Sequence, residues 1–171
     1  NPAGCVSATE DRNDRTVMEY VPSDRKGLFP VGRLDKESTG LLLLTNNGQL
    51  MDDILRGSNY HEKEYIVHVN KPITDSVLQA MAQGVPILDT ITRPCKIRRM
   101  GKDCFYITLT QGLNRQIRRM CEYFDYRVTS LKRIRIMNIE LGSLPVGKWR
   151  ELTTSEIKTL KNLAQNKGEA E

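Results

Sequence analysis

The sequence has no long hydrophobic run. Its longest uninterrupted apolar stretch is Leu41–Leu44, far short of the ~18 residues that a membrane-spanning helix needs. The first twenty residues are polar and contain no apolar segment of the kind found in secretory signals. The mean hydropathy of −0.48 is typical of soluble globular proteins. These absences argue against the membrane and secreted classes and predict a cytoplasmic protein.

Closely spaced metal ligands are also missing. No two of the four cysteines form a Cys-x-x-Cys pair, and the two histidines, His61 and His68, lie far from all of them in sequence. A zinc site is therefore not expected. A chain without a secretory signal is expected to keep free thiols rather than disulfides. Cys121 falls on an apolar helical stripe, which predicts a core position for it.

Basic residues exceed acidic ones, 26 against 21, for a formal net charge of +5. The excess is concentrated in residues 115–135, which contain only two acids, Glu122 and Asp125. The seven basic side chains there are Arg115, Arg118, Arg119, Arg127, Lys132, Arg133 and Arg135. Such a cluster fits a surface that binds a phosphate backbone. A solvated face that only aids solubility is the alternative.

Hydrophobic periodicity predicts more strands than helices, without strict alternation. The predicted strands are residues 40–45, 63–69, 97–99, 104–110 and 133–141, and the predicted helices are residues 17–20, 49–56, 74–82, 115–124 and a last one from about 153. The apolar run 40–45 suits a strand buried on both faces, and a parity switch after Ile136 indicates a bulge. Thr74, Asn114 and Thr153 are expected N-caps. The pattern predicts an α+β fold with a mainly antiparallel or mixed sheet.

Two segments contain candidate catalytic residues. Asp35 lies between cations in the loop 32–40, where it could be a nucleophile or base or an ordinary turn residue. In the predicted helix 115–124, 100° per residue directs Arg115 and Arg119 outward and leaves Arg118 at the edge of the apolar stripe. A half-buried guanidinium usually has a carboxylate or phosphate partner. Tyr65, in mid-strand, is either a core aromatic or a platform for an unstacked base.

Three stretches together resemble the RsuA-type RNA pseudouridine synthases. They are Gly-Arg-Leu-Asp at 32–35 with the apolar run and Asn-Gly turn after it, Lys-Glu-Tyr at 63–65, and Leu-Asn-Arg-Gln-Ile-Arg-Arg-Met at 113–120. The segments 61–65, 84–88 and 112–122 are most similar to members that act on large-subunit (23S) ribosomal RNA. The resemblance covers about residues 1 to 160, and three motifs in order are more specific than one.

The resemblance implies roles for five residues, and the basic cluster supplies four more candidates. Asp35 would be the nucleophile, Arg118 its basic partner, and Tyr65 the tyrosine stacked on the target uracil. Arg33 would hold the flipped base, and Leu131 would supply an apolar wall beside it. The expected contacts to the RNA backbone are Arg115, Arg119, Lys132 and Arg133.

The implied reaction converts a uridine to pseudouridine, and it needs no metal, redox cofactor or nucleotide. The implied fold is a central sheet in two subdomains, split near residues 60–70, with the active site in the cleft between them. Residues 1–164 would form the catalytic domain and residues 165–171 a polar tail. Family members generally carry a small S4-like RNA-binding domain upstream, which we expect to be absent from this chain.

The expected partner is 23S ribosomal RNA, with transfer RNA as the other candidate, and the expected state is a monomer. Two alternatives stay open. A non-catalytic RNA-binding or ribosome-assembly module could keep the same fold for its basic cleft. A hydrolase could use Asp35 on a glycosidic bond, with Glu37 or Glu64 as a second carboxylate.

Overall fold

Ten short or medium strands and four α-helices form the part of the chain that the computed structural model describes, residues 1–8, 11–12, 14–22, 24–25 and 27–165. The strands are β1 (Phe29–Pro30), β2 (Thr39–Gly40), β3 (Leu44–Thr45), β4 (Lys63–Val69), β5 (Pro86–Ile87), β6 (Thr90–Ile91), β7 (Lys96–Arg99), β8 (Cys104–Leu109), β9 (Val128–Ile136) and β10 (Ile139–Glu140). The helices are α1 (Gly48–Leu55), α2 (Asp75–Gln83), α3 (Gln116–Tyr123) and α4 (Thr154–Gln165). Short 3₁₀ turns cover Val17–Tyr20 and Gly57–Asn59.

The main sheet has the order β10-β9-β4-β8-β7, with β2 added beside β9. Strand β4 is central, and its neighbours β8 and β9 both run antiparallel to it. Strand β2 runs parallel to β9, so the sheet is mixed. The α+β prediction is thereby confirmed, as is the strand predicted for residues 63–69.

Two hydrophobic clusters flank the middle of the sheet. The first core consists of side chains between Val67 and Leu131, where α2 and α3 cover β4 and β8. The second core joins residues 31–54 to residues 136–164, so that α1 and α4 pack beside the end of β9 and β10. Cys121, fully buried in the first core, confirms its predicted position, and burial raises the pKa of its thiol to about 12.

The apolar run 40–45 does not form one buried strand, and that prediction was wrong. Strand β2 ends at Gly40 and β3 begins only at Leu44, because the chain crosses here from the main sheet to a two-stranded ribbon with β1. Leu41 and Leu43 are buried, whereas Leu42 is only half-buried. Only one side of this run therefore faces a hydrophobic core.

The parity switch after Ile136 marks a hairpin rather than a bulge within one strand. Strand β9 begins at Val128 and ends at Ile136, and the chain then reverses so that Ile139 pairs antiparallel with Ile136. Met137 has a φ of 53°, in the left-handed region that tight turns use. An irregularity does occur in the β4–β9 ladder, between Glu64 and Tyr65.

The helix predictions are confirmed apart from the details of their caps and faces. Thr74 caps α2 by accepting a hydrogen bond from the Val77 amide. Thr153 and Glu156 form the expected reciprocal capping box at the start of α4. Helix α4 buries Leu160 and Ala164, while Ile157 and Leu163 stay largely exposed. The polar tail predicted for residues 165–171 lies outside the described residues beyond Gln165.

None of the helices in the described ranges has the length and apolar character needed to cross a lipid bilayer. The four cysteines are unpaired.

Candidate active site

Asp35 lies in a loop whose backbone is fixed at several points. On its N-terminal side, the buried Leu34 amide donates to the hydroxyl of Ser7, with a nitrogen–oxygen distance of 3.1 Å. On its C-terminal side, the Ser38 amide donates to the Asp35 carbonyl over 2.9 Å and closes a turn. Because both flanks are tied down, the Asp35 carboxylate has a defined position although it lies in a loop.

The loop is joined to the main sheet at Gly40. This residue has a φ of 109°, and a Cβ built on it would lie only 2.1 Å from the Arg133 carbonyl oxygen. The next amide, of Leu41, donates to the same oxygen over 2.8 Å. The Arg133 side chain completes the attachment by donating from Nε to the Leu41 carbonyl. Only glycine permits this approach, and it holds the Asp35 loop against β9.

Helix α3 brings the opposite charges to that loop. The residue before its first turn is Arg115, with a φ of 48° and no side-chain cap, so the prediction that Asn114 caps the helix was wrong. Asn114 instead accepts two hydrogen bonds from Arg119. The buried side chain of Gln116 instead fixes the loop before the helix by accepting from the Leu113 amide over 3.1 Å. Sequence reasoning missed Gln116, because a glutamine within a basic segment suggests a solvent-facing side chain.

Asp35 and Arg118 form an ion pair across the site. Arg118 Nε lies 3.4 Å from Asp35 Oδ2, and its Nη2 donates to the hydroxyl of Ser38 over 3.1 Å. The Arg118 side chain is only 12% exposed, against 28% for Asp35. The half-buried guanidinium predicted from the helix periodicity thus has the carboxylate partner that its position required. Ser38, which fixes the other end of the guanidinium, was not recognised from sequence.

A second guanidinium reaches the same carboxylate. Arg115 Nη1 lies 3.7 Å from Asp35 Oδ2 and 3.3 Å from Glu37 Oε2. Backbone hydrogen bonding at Glu37, and next the Arg115 guanidinium, lower the pKa of Glu37 below its ordinary value. An ionised Glu37 is a poor proton donor. It therefore does not supply the carboxylic acid that a glycosidic hydrolase would need.

Tyr65 and Leu131 lie on the covered face of the sheet. Tyr65 is opposite Ile107 on one side and Arg133 on the other, and it is half-buried against the first core. Leu131 lies on the same face and is 6% exposed. Within the described ranges, no hydrogen bond joins Tyr65 to Asp35 or Arg118.

The remaining predicted RNA contacts have three different environments. Arg33 is exposed and makes no ion pair with any residue that the structure describes. Lys132 is also exposed, but it projects from the face of β9 opposite to Leu131, because successive strand residues alternate. Arg133 is only 3% exposed. Its assignment to a basic surface was therefore incorrect, since its side chain holds the Asp35 loop from inside.

Lys63 is a half-buried cation close to Arg133 that sequence reasoning did not select. On β4 it pairs with Leu109 of the first core on one side and with Ile136 of the second core on the other. Burial, and secondarily the charge of Arg133, lower the pKa of Lys63 to about 8.

A groove of about 560 Å³ lies beside the candidate site rather than in it. Its lining comes from the segment 39–50, from the chain around Trp149 and from α4, and it includes neither Asp35 nor Arg118. In the described part of the chain, no group of three His, Cys, Asp or Glu side chains is placed to hold a metal ion.

Comparison with known proteins gives this arrangement a class. A solved pseudouridylate synthase structure is similar to the chain with a TM-score of 0.88 and 31% identity, over 94% of this chain and 70% of the other. This confirms the pseudouridine synthase fold implied by the motifs. A family model described as RNA pseudouridylate synthase matches residues 2–123. The chain belongs to this family.

Individual relatives show which members of the family the chain is similar to. The dual-specificity RNA pseudouridine synthase RluF of Salmonella typhi is 53% identical over 96% of this chain. The chain spans 56% of that relative's length. The ribosomal small subunit pseudouridine synthase A of Pseudomonas aeruginosa is 39% identical over 91% of this chain and 70% of its own length. The resemblance to the RsuA-type family is thereby confirmed, and the match to RluF includes segments 61–65, 84–88 and 112–122.

Proposed function

We propose that this chain isomerises uridine to pseudouridine in RNA, with Asp35 as the nucleophile. The observation that carries the proposal is the Asp35–Arg118 ion pair, formed between a loop fixed by glycine and a helix whose start is fixed by a buried glutamine. Membership of the pseudouridylate synthase family and the 53% identity to RluF support it. A module that only bound RNA would need no reactive carboxylate held in this way.

The reaction is an internal exchange of bonds. The bond between ribose C1′ and base N1 breaks, the base turns, and a bond forms between C1′ and base C5. The hydrogen on C5 leaves as a proton and N1 gains one, so nothing is oxidised and no cofactor is required. Asp35 attacks either C1′ or base C6. Arg118 holds the carboxylate in position through a charge-assisted contact between its Nε and Asp35 Oδ2.

The flanking residues bind the uridine outside its helix. Flipping a base out of a stack costs a few kcal/mol, which phosphate contacts and stacking offset. We assign stacking and proton transfer to Tyr65, retention of the flipped base to Arg33 and an apolar wall to Leu131. Arg115, which is exposed immediately before α3, and Arg119, which is half-buried on α3, contact the phosphate backbone. Residues 1–164 form the catalytic domain, with its cleft between the two cores.

We further propose a large-subunit (23S) ribosomal RNA substrate, as the similarity to RluF suggests, with transfer RNA as the second candidate given the dual specificity in that relative's name. The enzyme then acts in the cytoplasm as a monomer. The non-catalytic alternative is not favoured, because the chain retains the candidate nucleophile, its arginine and the tyrosine together. The hydrolase alternative is not favoured, because the lowered pKa of Glu37 makes that carboxylate a poor acid, and Glu64 accepts a hydrogen bond from the Thr108 hydroxyl instead.

Tritium release tests the proposal directly. A large-subunit ribosomal RNA transcript labelled at uridine C5 is incubated with wild type, Asp35→Asn and the control Asp52→Asn, which alters an exposed carboxylate on α1. We expect release by wild type and by the control, and none by Asp35→Asn at an unchanged melting temperature. Full release by Asp35→Asn would refute the nucleophile, and no release by wild type from either ribosomal or transfer RNA would refute the isomerase activity.

A further inference from the structure

The two arginines that face Asp35 are held very differently. Arg118 is 12% exposed and is fixed by both Asp35 and Ser38. Arg115 is 40% exposed, and its closest partner is Glu37, which is itself 60% exposed. Arg118 is thus a permanent partner of the carboxylate, whereas Arg115 is held at the edge of the site by a solvent-accessible acid.

The Arg115–Glu37 pair has the properties of an exchangeable contact. Exposed ion pairs contribute only ~0–1 kcal/mol, so a stronger anion displaces the carboxylate at little cost. The lowered pKa of Glu37 keeps its charge in place throughout the neutral range. Arg115 also occupies the left-handed region, with a φ of 48°. Long side chains are uncommon there, and such conformations cluster at functional sites.

We propose that Glu37 pairs with Arg115 only while no RNA is bound. A phosphate of the substrate RNA then displaces Glu37 and becomes the partner of Arg115. This inference rests on the proposed function and names a residue that controls substrate binding. A phosphate offers the guanidinium two charge-assisted hydrogen bonds at once, whereas Glu37 accepts a single contact from it.

The exchange changes the active site as well as the binding surface. In the structure, Asp35 Oδ2 faces Arg118 Nε at 3.4 Å and Arg115 Nη1 at 3.7 Å. Once Arg115 turns to the phosphate, the nucleophile keeps only its buried partner. Glu37 then acts as a filter, because an RNA that places no phosphate beside Arg115 does not remove it from Asp35.

The test is a double-mutant cycle on RNA affinity. Dissociation constants for a large-subunit ribosomal RNA transcript are measured by filter binding, over a range of salt concentrations, for wild type, Glu37→Gln, Arg115→Gln and the double variant. We expect Glu37→Gln to bind about threefold more tightly, the size of an exposed ion pair. Arg115→Gln binds more weakly, with a salt slope reduced by about 1. In the double variant the gain from Glu37→Gln disappears.

The matched control is Glu122→Gln, which removes one negative charge from the exposed side of α3 itself and should leave affinity unchanged. An unchanged affinity of Glu37→Gln overturns the proposal. So does a gain that persists without Arg115 or recurs in Glu122→Gln, since either shows general charge repulsion. Wild type that binds RNA without releasing tritium refutes the isomerase function alone, because the cycle measures binding. Wild type that does not bind the RNA refutes the exchange.

Discussion

The two cores of the molecule are assembled from the chain in different ways. The first core, with α2 and α3, uses residues from the single stretch 67–131. The second core needs residues 31–54 and residues 136–164, which flank that stretch in sequence. Asp35 belongs to the second region and Arg118 to the first, so the ion pair crosses the boundary between them. The difference shows that the geometry of the candidate site depends on how the second region is attached to the first.

The largest effect should come from breaking that attachment at Gly40. Gly40→Ala places a methyl group against the Arg133 backbone at a φ that L-residues rarely adopt. Strain and overpacking together should lower the free energy of unfolding by about 4 kcal/mol. Chemical denaturation measures this loss, and residual folded protein should show reduced tritium release.

Gly48 provides the control for this variant. It begins α1 in open space, with no atom within 4 Å of a Cβ built on it. Gly48→Ala should be neutral or slightly stabilising, because alanine has the higher helix propensity. If Gly40→Ala were equally harmless, the loop would not be attached through this close approach.

A smaller effect on stability is expected at Lys63, which lies between the two cores. Its folded-state pKa of about 8 lies below the ordinary value of 10.5, so the unfolded chain binds more protons between these limits. The stability of wild type should therefore rise as the pH increases from about 8 to 10.5. Lys63→Met should be more stable than wild type at pH 7 by about 3 kcal/mol, with the gap closing above pH 10.

The measurement is urea denaturation of both proteins across this pH range. Lys158→Met, which replaces an exposed lysine of α4, serves as the control and should track wild type at every pH. A constant difference between Lys63→Met and wild type would show that Lys63 is not desolvated at the boundary.

The smallest effect concerns the second core alone. Thr153→Ala removes the hydroxyl that accepts from the Glu156 amide at the start of α4, which should cost about 1 kcal/mol. Thr154→Ala, at the exposed neighbour, should cost less. Thermal unfolding compares the two, and equal losses would show that the capping box does not stabilise the helix.

The cap also has a pH signature. Arg150, and next the Thr153 amide, lower the pKa of Glu156 to about 2 from its ordinary 4.5. The contribution of Glu156 should be complete above pH 4.5 and lost as the pH falls toward 2. Glu156→Gln should therefore lose stability at pH 7 but match wild type at pH 2.

Sequence patterns predicted the first core better than the second because its elements are specified locally. The alternation in β4, the cap of α2 and the apolar stripe of α3 each depend on residues within a few positions of one another. In the second core, the run 40–45 was read as one strand, because nothing local shows that β2 and β3 join different sheets. The apolar parity around Ile136 likewise fits a bulge or a hairpin equally well.

The candidate site shows the same difference: residues specified by local patterns were predicted, and residues that depend on distant partners were missed. Motifs selected Asp35, Tyr65 and Arg118, and helical periodicity gave Arg118 its half-buried position. The buried roles of Arg133, Gln116 and Ser38 were not foreseen, because each depends on a partner distant in sequence or on a turn geometry without a sequence signature. Arg133 illustrates the reason most clearly, since its side chain binds the Leu41 carbonyl, 92 residues away in the chain.

That long-range attachment also sets an order of events during synthesis. A ribosome that has released residues 1–120 has delivered both Asp35 and Arg118, but not the Arg133 backbone on which the Asp35 loop rests. Chains emerge N-terminus first at roughly 5–20 residues per second. Several seconds therefore pass between the synthesis of Gly40 and that of β9, against which it packs. A growing chain of this protein thus carries the Asp35 carboxylate without a fixed position, and the loop around it is attached only after β9 has been made.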